Sequence, residues 1–343
     1  MPITVTDIAQ EAGVSIATVS RVLNNKTVRP DSRIRVEAAV KKLHFIPNAI
    51  ARSLMGKRSR AIGVLITSMT NTYYMEITEV IERRFREQGS MLFLCSTEGD
   101  LTTEKEYLQD LVARQVDGII VIDPSMENYE NRVFQNIAAR LPLVLIHSWN
   151  EFSGINSVFI DQTHGMQQVM HYLWENGHRR IAFIRGSSRS HSYDIKENCW
   201  KEFLGDRKVE IEADWFVSLE EGNTEEAIPL AREACLKLLD RNPESRPTAI
   251  FACNDLMSLG VFAAAHDLEL AVPDDLSIIG HDNTVLAFNS YPPMTTVDLK
   301  MRSLGNASAD LLLHAMDPKD PVPRRVMIDP ELIVRRSSGS AAQ

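Results

Sequence analysis

The sequence predicts an α/β protein in which a small helical head precedes a larger body of parallel sheets. Three observations carry this expectation. Residues 4–24 (TVTDIAQEAGVSIATVSRVLN) read as two short helices about a tight turn. From residue 61 onward, apolar strand-like runs alternate with amphipathic helical stretches in two successive series. Charge divides along the same line. The first 60 residues hold 11 Lys+Arg against 4 Asp+Glu, a net of +7, and the remainder holds 26 against 42, a net of −16. A basic head on an acidic body suits a chain that touches a polyanion through one module only.

In the head, Asp7, Ile8 and Ala9 open the first helix with Thr6 as its expected N-cap, and Gly13 supplies a left-handed stop. Ser15 is placed to cap a second helix over 16–24. Ile8, Ala12, Val14, Val19, Val22 and Leu23 are expected to pack together, which leaves Ile16, Ala17, Thr18, Ser20 and Arg21 outward. The pattern fits a helix-turn-helix, whose second helix enters the DNA major groove, and equally an ordinary αα-hairpin. A third helix is predicted over 31–43, with Ile34, Val36, Ala38, Ala39, Val40 and Leu43 on its apolar side. Its Arg33, Arg35, Lys41 and Lys42 are available to phosphates. Pro47 and Asn48 then open a helix too short to hold alone in water, and 56–60 (GKRSR) is a basic link.

The body begins with AIGVLIT (61–67), a continuous apolar run of the kind a parallel strand buried on both faces requires. Further strands are predicted at 91–96, 118–122, 143–147 and 158–161, separated by helices over 75–88, 103–115 and 131–139. The second series places helices at 162–176, 225–240 and 256–267, and strands at 181–184, 249–253 and 276–280. Two such series imply two lobes with a cleft beyond the carboxyl ends of their strands. The strand-end loops 68–74, 147–149, 185–196, 254–255 and 281–283 are therefore where a ligand is expected.

Four widely spaced cysteines without a CxxC pair are expected to be free thiols, with no metal or cofactor called for. No apolar run reaches membrane-spanning length and no signal pattern opens the chain, so a cytoplasmic protein is expected. His178, Arg179, Arg180, Asp123 and Asp161 are candidates for catalysis, yet no HExxH, GxSxG, P-loop or GxGxxG appears, which argues against an enzyme.

The runs DIAQEAGVSIATVSRVLN and FIPNAIARSL, with the two-series body behind them, resemble the lactose-repressor (LacI/GalR) family of bacterial transcriptional regulators. The resemblance spans essentially the whole chain. It implies a headpiece over 1–47, a hinge helix and linker over 48–60, and a periplasmic-binding-protein-like, Rossmann-like effector and dimerisation domain over 61–336. Within that domain an N-subdomain (61–160, 293–320) and a C-subdomain (161–291, 322–336) are expected, with crossings near Asp161, Pro292–Pro293 and 321–323. Helix 302–316 would return to the first and 326–334 to the second, and 337–343 is expected to be a disordered tail.

By the same resemblance, Ile16, Ala17 and Arg21 read bases in double-stranded DNA. Thr6, Ser15, Thr18, Ser20 and Asn24 position the head, and Asn48, Ala51, Arg52 and Leu54 form a minor-groove hinge in which Leu54 wedges into the central step. The loop 25–30 is about a residue shorter than is usual in the family, which leaves its backbone contacts open. The implied partners are a second copy of the chain, a pseudo-palindromic operator and a small effector. Effector contacts are assigned to Tyr73, Tyr74, His147, Ser190, Ser192, Lys196, Asn254 and Asp282. Arg185, Arg189, His191 and Lys196 together suggest an anionic effector such as a sugar phosphate, while a neutral sugar is the family default. A plain sugar-binding receptor fits 61–336 but leaves the head without a purpose.

Overall fold

The computed structural model describes residues 3–23, 26–45, 59–148, 154–186, 190–317 and 322–341. It divides into two compact units, Met1–Ser59 and Arg60–Gln343.

In the first unit, α1 (Val5–Ala12) is capped by Thr4 rather than Thr6. Asp7 stands third in the helix and returns its carboxylate to Thr4 N at 2.7 Å, while Thr4 Oγ1 accepts from Asp7 N. Only a residue three before Asp7 can close this reciprocal box, which moves the start of the helix back. Gly13 takes φ 60°, and Val14 N reaches back to Ala9 O. Ser15 Oγ accepts from Thr18 N ahead of α2 (Ile16–Leu23). Pro30 opens α3 (Pro30–Lys42). Ile8, Ala9, Ala12, Val19, Val22, Val36, Ala39 and Phe45 form the core. Ile34 and Ala38, expected in that core, are exposed, Ile34 by 65%. Val36, Ala39, Val40 and Leu43 follow the helical stripe, and a residue two before Val36 lies on the opposite face.

The second unit contains two lobes, each a six-stranded sheet. The first runs β1 (Ala61–Ile66), α4 (Thr72–Glu87), β2 (Met91–Ser96), α5 (Leu101–Ala113), β3 (Gly118–Ile122), α6 (Met126–Glu130), α7 (Val133–Ala138), β4 (Leu143–His147) and β5 (Asn156–Ile160). The second runs α8 (Gln162–Glu175), β6 (Ile181–Gly186), α9 (His191–Asp206), β7 (Phe216–Leu219), α10 (Ala227–Leu239), β8 (Ala249–Ala252), α11 (Asp255–Asp267), β9 (Ser277–Asp282), α12 (Val285–Asn289) and β10 (Thr295–Asp298). The chain then returns to the first lobe with α13 (Met301–Ala315) and β11 (Arg325–Ile328), and ends in the second with β12 (Glu331–Ile333). Sheet orders are β11-β5-β4-β3-β1-β2 and β12-β10-β9-β8-β6-β7. All pairings are parallel except β12 with β10. Such a sheet is covered on both faces, which is why β3, β4 and β8 are buried throughout. No helix among the described residues is long and apolar enough to cross a membrane.

Several expectations need correction. The second and third crossings lie after Asp298 and between Ile328 and Glu331, not at the prolines, because β10 pairs with β9 and β11 with β5. The stretch 326–334 is therefore two strands in two lobes. The supposed loop 185–196 is largely the start of α9. The described part of the tail, 337–341, is not loose: Ser337 is fully buried, its carbonyl accepts from Ile278 N at 2.7 Å, and its hydroxyl accepts from Thr295 N at 2.8 Å. Gly339 O faces His178 Nε2 at 3.0 Å, and Ala341 N donates to Asn176 O. Small residues let the segment lie flat across the starts of β9 and β10.

Candidate functional site

The head presents one divided helix. In α2, Val19 and Val22 face the core, while Ile16 (52% exposed), Ala17 and Arg21 face away, with Thr18 and Ser20 at the margin. Ser15 is committed to its cap, and Thr6 is exposed on the first turn of α1. Two of the basic residues offered to phosphates have partners inside the head: Arg33 donates to Lys26 O, and Lys42 pairs with Glu11 at 2.8 Å. Asn24, Asn48, Ala51, Arg52 and Leu54 lie outside the described residues, as does the hinge helix.

The body gathers a second constellation where the strands of both sheets end. Two adjoining cavities, of about 160 and 40 Å³, share Asp123, Ser190 and Asn223. Tyr73, Tyr74, Ser190, Ser192, Lys196, Asn254 and Asp282 all line the smaller one. Asn71 caps α4 by accepting from Tyr73 N, which presents the two tyrosines in succession, their rings 5.1 Å apart and nearly perpendicular. Tyr74 donates to Asp123 Oδ2 at 3.3 Å. From the other lobe, Tyr193 donates to Asn223 Oδ1 at 3.0 Å. The loop bearing Asn223 comes close because Gly186 and Gly222 touch through their backbones; a Cβ on Gly186 would stand 2.9 Å from Gly222 Cα.

Three expected ligands have defined positions. Asn254 is a joint of the cleft: its Oδ1 accepts from Met257 N at the head of α11, and its Nδ2 donates to Gly222 O at 2.6 Å. Lys196, buried on α9, donates to Cys253 O at 3.1 Å and lies 5.7 Å from the Tyr193 ring centre. His147 does not line either cavity. Side chains alternate along a strand, so the ring stacks on Phe159 at 6.3 Å while the following Ser148 faces the cleft and accepts from Gln162. Burial, aided by Arg325 and His191, lowers the His147 pKa to about 3, so the imidazole stays neutral.

Among the described residues, the cations expected together are divided: Lys196 and His191 line the two cavities and Arg185 lines neither. Arg185 is bound by Asp194 and Glu197 at 2.7 and 2.6 Å and donates to Gly186 O. Arg189 lies outside the described residues. Burial instead leaves reluctant carboxylates. It raises Asp123 to about 6, opposed by Tyr74 and Lys196. Asp282, at φ 116°, is raised well above the carboxylate range by burial and by the charge of Asp255, with Lys196 opposing. Burial likewise lowers Lys196, against the pull of Asp282 and Asp123. Sequence reading missed Gln162, Glu221 and Asn223 as cleft residues, placed Ser148 and Tyr193 only within strand-end loops, and took Asp123 for a catalytic candidate. Their common signal is position after a parallel strand or within the first turn of the following helix.

Residues 4–48 match the model described as bacterial regulatory proteins, lacI family, and 170–338 match a periplasmic binding protein-like domain. The HTH-type transcriptional repressor PurR of Aliivibrio fischeri (strain MJ11) is 33% identical over 336 residues, covering 97% of this chain and 98% of that one. The HTH-type transcriptional regulator DegA of Bacillus subtilis (strain 168) is 32% identical, covering 98% of each. Among solved structures, a lac repressor dimer bound to operator and the anti-inducer ONPF superposes with TM-score 0.86 at 27% identity, over 99% of this chain and 100% of that one.

Proposed function

Because the chain belongs to the lacI family of bacterial regulatory proteins and is thus a DNA-binding transcriptional regulator with an effector-binding domain, we propose that it acts as a homodimeric cytoplasmic repressor switched by a small polyhydroxylated effector. The division of α2 carries the reading. Its core face holds the head together, and its free face offers Ile16 and Ala17 to apolar groups such as thymine methyls and Arg21 to a guanine edge. Residues 48–54 are assigned to the minor groove as a paired hinge, with Leu54 the wedge. Two heads make the operator pseudo-palindromic. The second copy is assigned to the rim where Val285 N donates to Glu76 and where Met75, Val285 and Phe288 are exposed.

The effector arm rests on the cleft. Tyrosine faces suit the apolar side of a sugar ring, and hydroxyl, amide and carboxyl groups from both lobes suit its hydroxyls. Closure on the effector alters the relation of the two first lobes in the dimer, and through it the pairing of the hinges. Selection from random DNA duplexes by the purified full chain tests the proposal. The expected product is a set of inverted half-sites whose affinity responds to one member of a sugar panel. Recovery of no preferred sequence would refute it.

A further inference from the structure

The two cleft cavities have a one-sided charge inventory. Among the described residues that line them stand six carboxylates, from Glu98, Asp100, Glu104, Asp123, Glu221 and Asp282, against Lys196 and the imidazole of His191. Three of the six are occupied by their own loops: Asp100 caps Thr103, Glu104 accepts from Ser125 and Asn128, and Glu221 accepts from three successive backbone N–H groups. Of the other three, Glu98 is on the larger cavity, while Asp123, which accepts from Tyr74, and Asp282, 3.1 Å from His281 Nδ1, line the smaller one together with the rings of Tyr73, Tyr74 and Tyr193. Lys196 offsets one negative charge but is drawn toward Cys253 O beneath Tyr193. The guanidinium of Arg185 is spent on Asp194 and Glu197, and that of Arg335 on Met294 O and Asn283.

We propose that the effector carries a protonated amine, as an amino sugar does, seated between Asp123 and Asp282 and against the tyrosine rings. The assignment rests on the effector-controlled reading above and names the chemical class that the cleft selects. A cation there pairs with Asp123 and with the charge that Asp282 takes on at its arrival, beyond the one negative charge that Lys196 balances, and it gains from the electron-rich ring faces. Carboxylates that burial holds reluctant to ionise gain most from an added positive charge, since the same low dielectric that penalises a lone charge strengthens a pair. A phosphate, in contrast, meets the charge of Asp123 and gains nothing from ionisation of Asp282. Ammonium binding drives both carboxyls toward ionisation and releases protons. The groups facing them are Tyr73, Tyr74, Glu104, Lys196 and Tyr193 around Asp123, and Tyr73, Tyr193, Cys253, His281, Asp255, Lys196 and Glu76 around Asp282. None of these supplies a second cation at neutral pH, since burial keeps His281 neutral.

Calorimetric titration of the full chain with matched triads tests the proposal: glucose, galactose and mannose, each as the free sugar, the 2-amino-2-deoxy sugar and the 6-phosphate. At least one amino sugar is expected to bind about tenfold or more tightly than its neutral counterpart, with no detectable binding of its phosphate. Asp123→Asn and Asp282→Asn are each expected to abolish that preference while leaving the folded baseline, read by far-UV circular dichroism, unchanged. Equal or tighter binding of a neutral or phosphorylated sugar, failure of every amino sugar to bind, or an amine preference that survives both substitutions would overturn the proposal. Operator binding measured on the same preparation separates the two levels. A chain that binds operator and answers to a phosphate refutes only the charge assignment, whereas one that selects no DNA refutes the regulator reading itself.

Discussion

Asp255→Asn isolates what one buried carboxylate does for the second lobe. The Asp255 side chain opens α11 and is fully enclosed; its Oδ2 accepts from Thr284 N at 2.7 Å and Thr284 Oγ1 at 2.9 Å, and its Oδ1 accepts from Thr296 Oγ1 at 2.8 Å. These bonds tie α11 to the loop that follows Asp282 at the end of β9, and to β10. Burial pushes the carboxyl from 3.8 up to about 6, with the Thr284 and Thr296 bonds opposing. The native state thus holds this proton more tightly than the unfolded chain does. Stability from that source is fully present below the unfolded value and is lost as pH rises through about 6. The loss is on the order of 3 kcal/mol. Asparagine does not titrate, but it turns an N–H toward a donor that a carboxylate oxygen had satisfied, at about 1–3 kcal/mol regardless of pH. The advantage of the native residue over asparagine is therefore expected to be larger at about pH 4.5 than at about pH 7.5. Urea unfolding followed by tryptophan emission reads this lobe, since Trp200 and Trp215 are both buried in it. Titrations of groups that do not face residue 255 cancel in the difference, and Asp282, which the charge of Asp255 pushes up, shifts the difference in the same direction. A difference that stays constant across that pH range would refute the reasoning.

Arg21→Ala is expected to cost about 1–3 kcal/mol of operator affinity and to relax one base position in each half-site, read by competition anisotropy; a uniform loss on all sequences would make Arg21 a phosphate contact. Gly186→Ala forces a Cβ to 2.9 Å from Gly222 Cα and 3.1 Å from Tyr193, so the loop bearing Asn223 must move. The fold is expected to persist while effector binding weakens by about tenfold or more, as titration calorimetry would record. Truncation after Arg336 removes Ser337 from Ile278 and Thr295, and Gly339 from His178. It is expected to cost about 2 kcal/mol or more in unfolding free energy, and a truncated chain as stable as the full one would restore the disordered-tail reading.

The head was legible because its signals are local: Gly13 after one apolar face, Ser15 before the next, and Val19 and Val22 at helical spacing. Thr6 was misjudged because a cap is defined by its partner, and Asp7 answers to Thr4. Long buried strands announced themselves, whereas β7, β10 and β12 are only three or four residues long and acquire meaning from their neighbours. Helix α9 escaped because Lys196 sits on its buried face beside Tyr193 and Trp200, which breaks the apolar stripe that marks a helix. The same lysine bears on the charge expected of the cleft. Several cations close in sequence suggested an anion site, but side-chain direction turned Arg185 to Asp194 and Glu197, while the topology brought Asp123 and Asp282 from opposite lobes.

Linkage between the two ends of the chain tests the central claim most directly. Operator affinity of the full chain is measured by anisotropy with and without the compound that fills the cleft, and the affinity for that compound is measured with and without operator. Control of the head by the cleft predicts that each ligand changes the other's affinity by the same factor, about 5-fold to 150-fold. Two affinities that ignore each other would contradict the account, because the cleft would then bind a ligand without governing the helix that reads DNA.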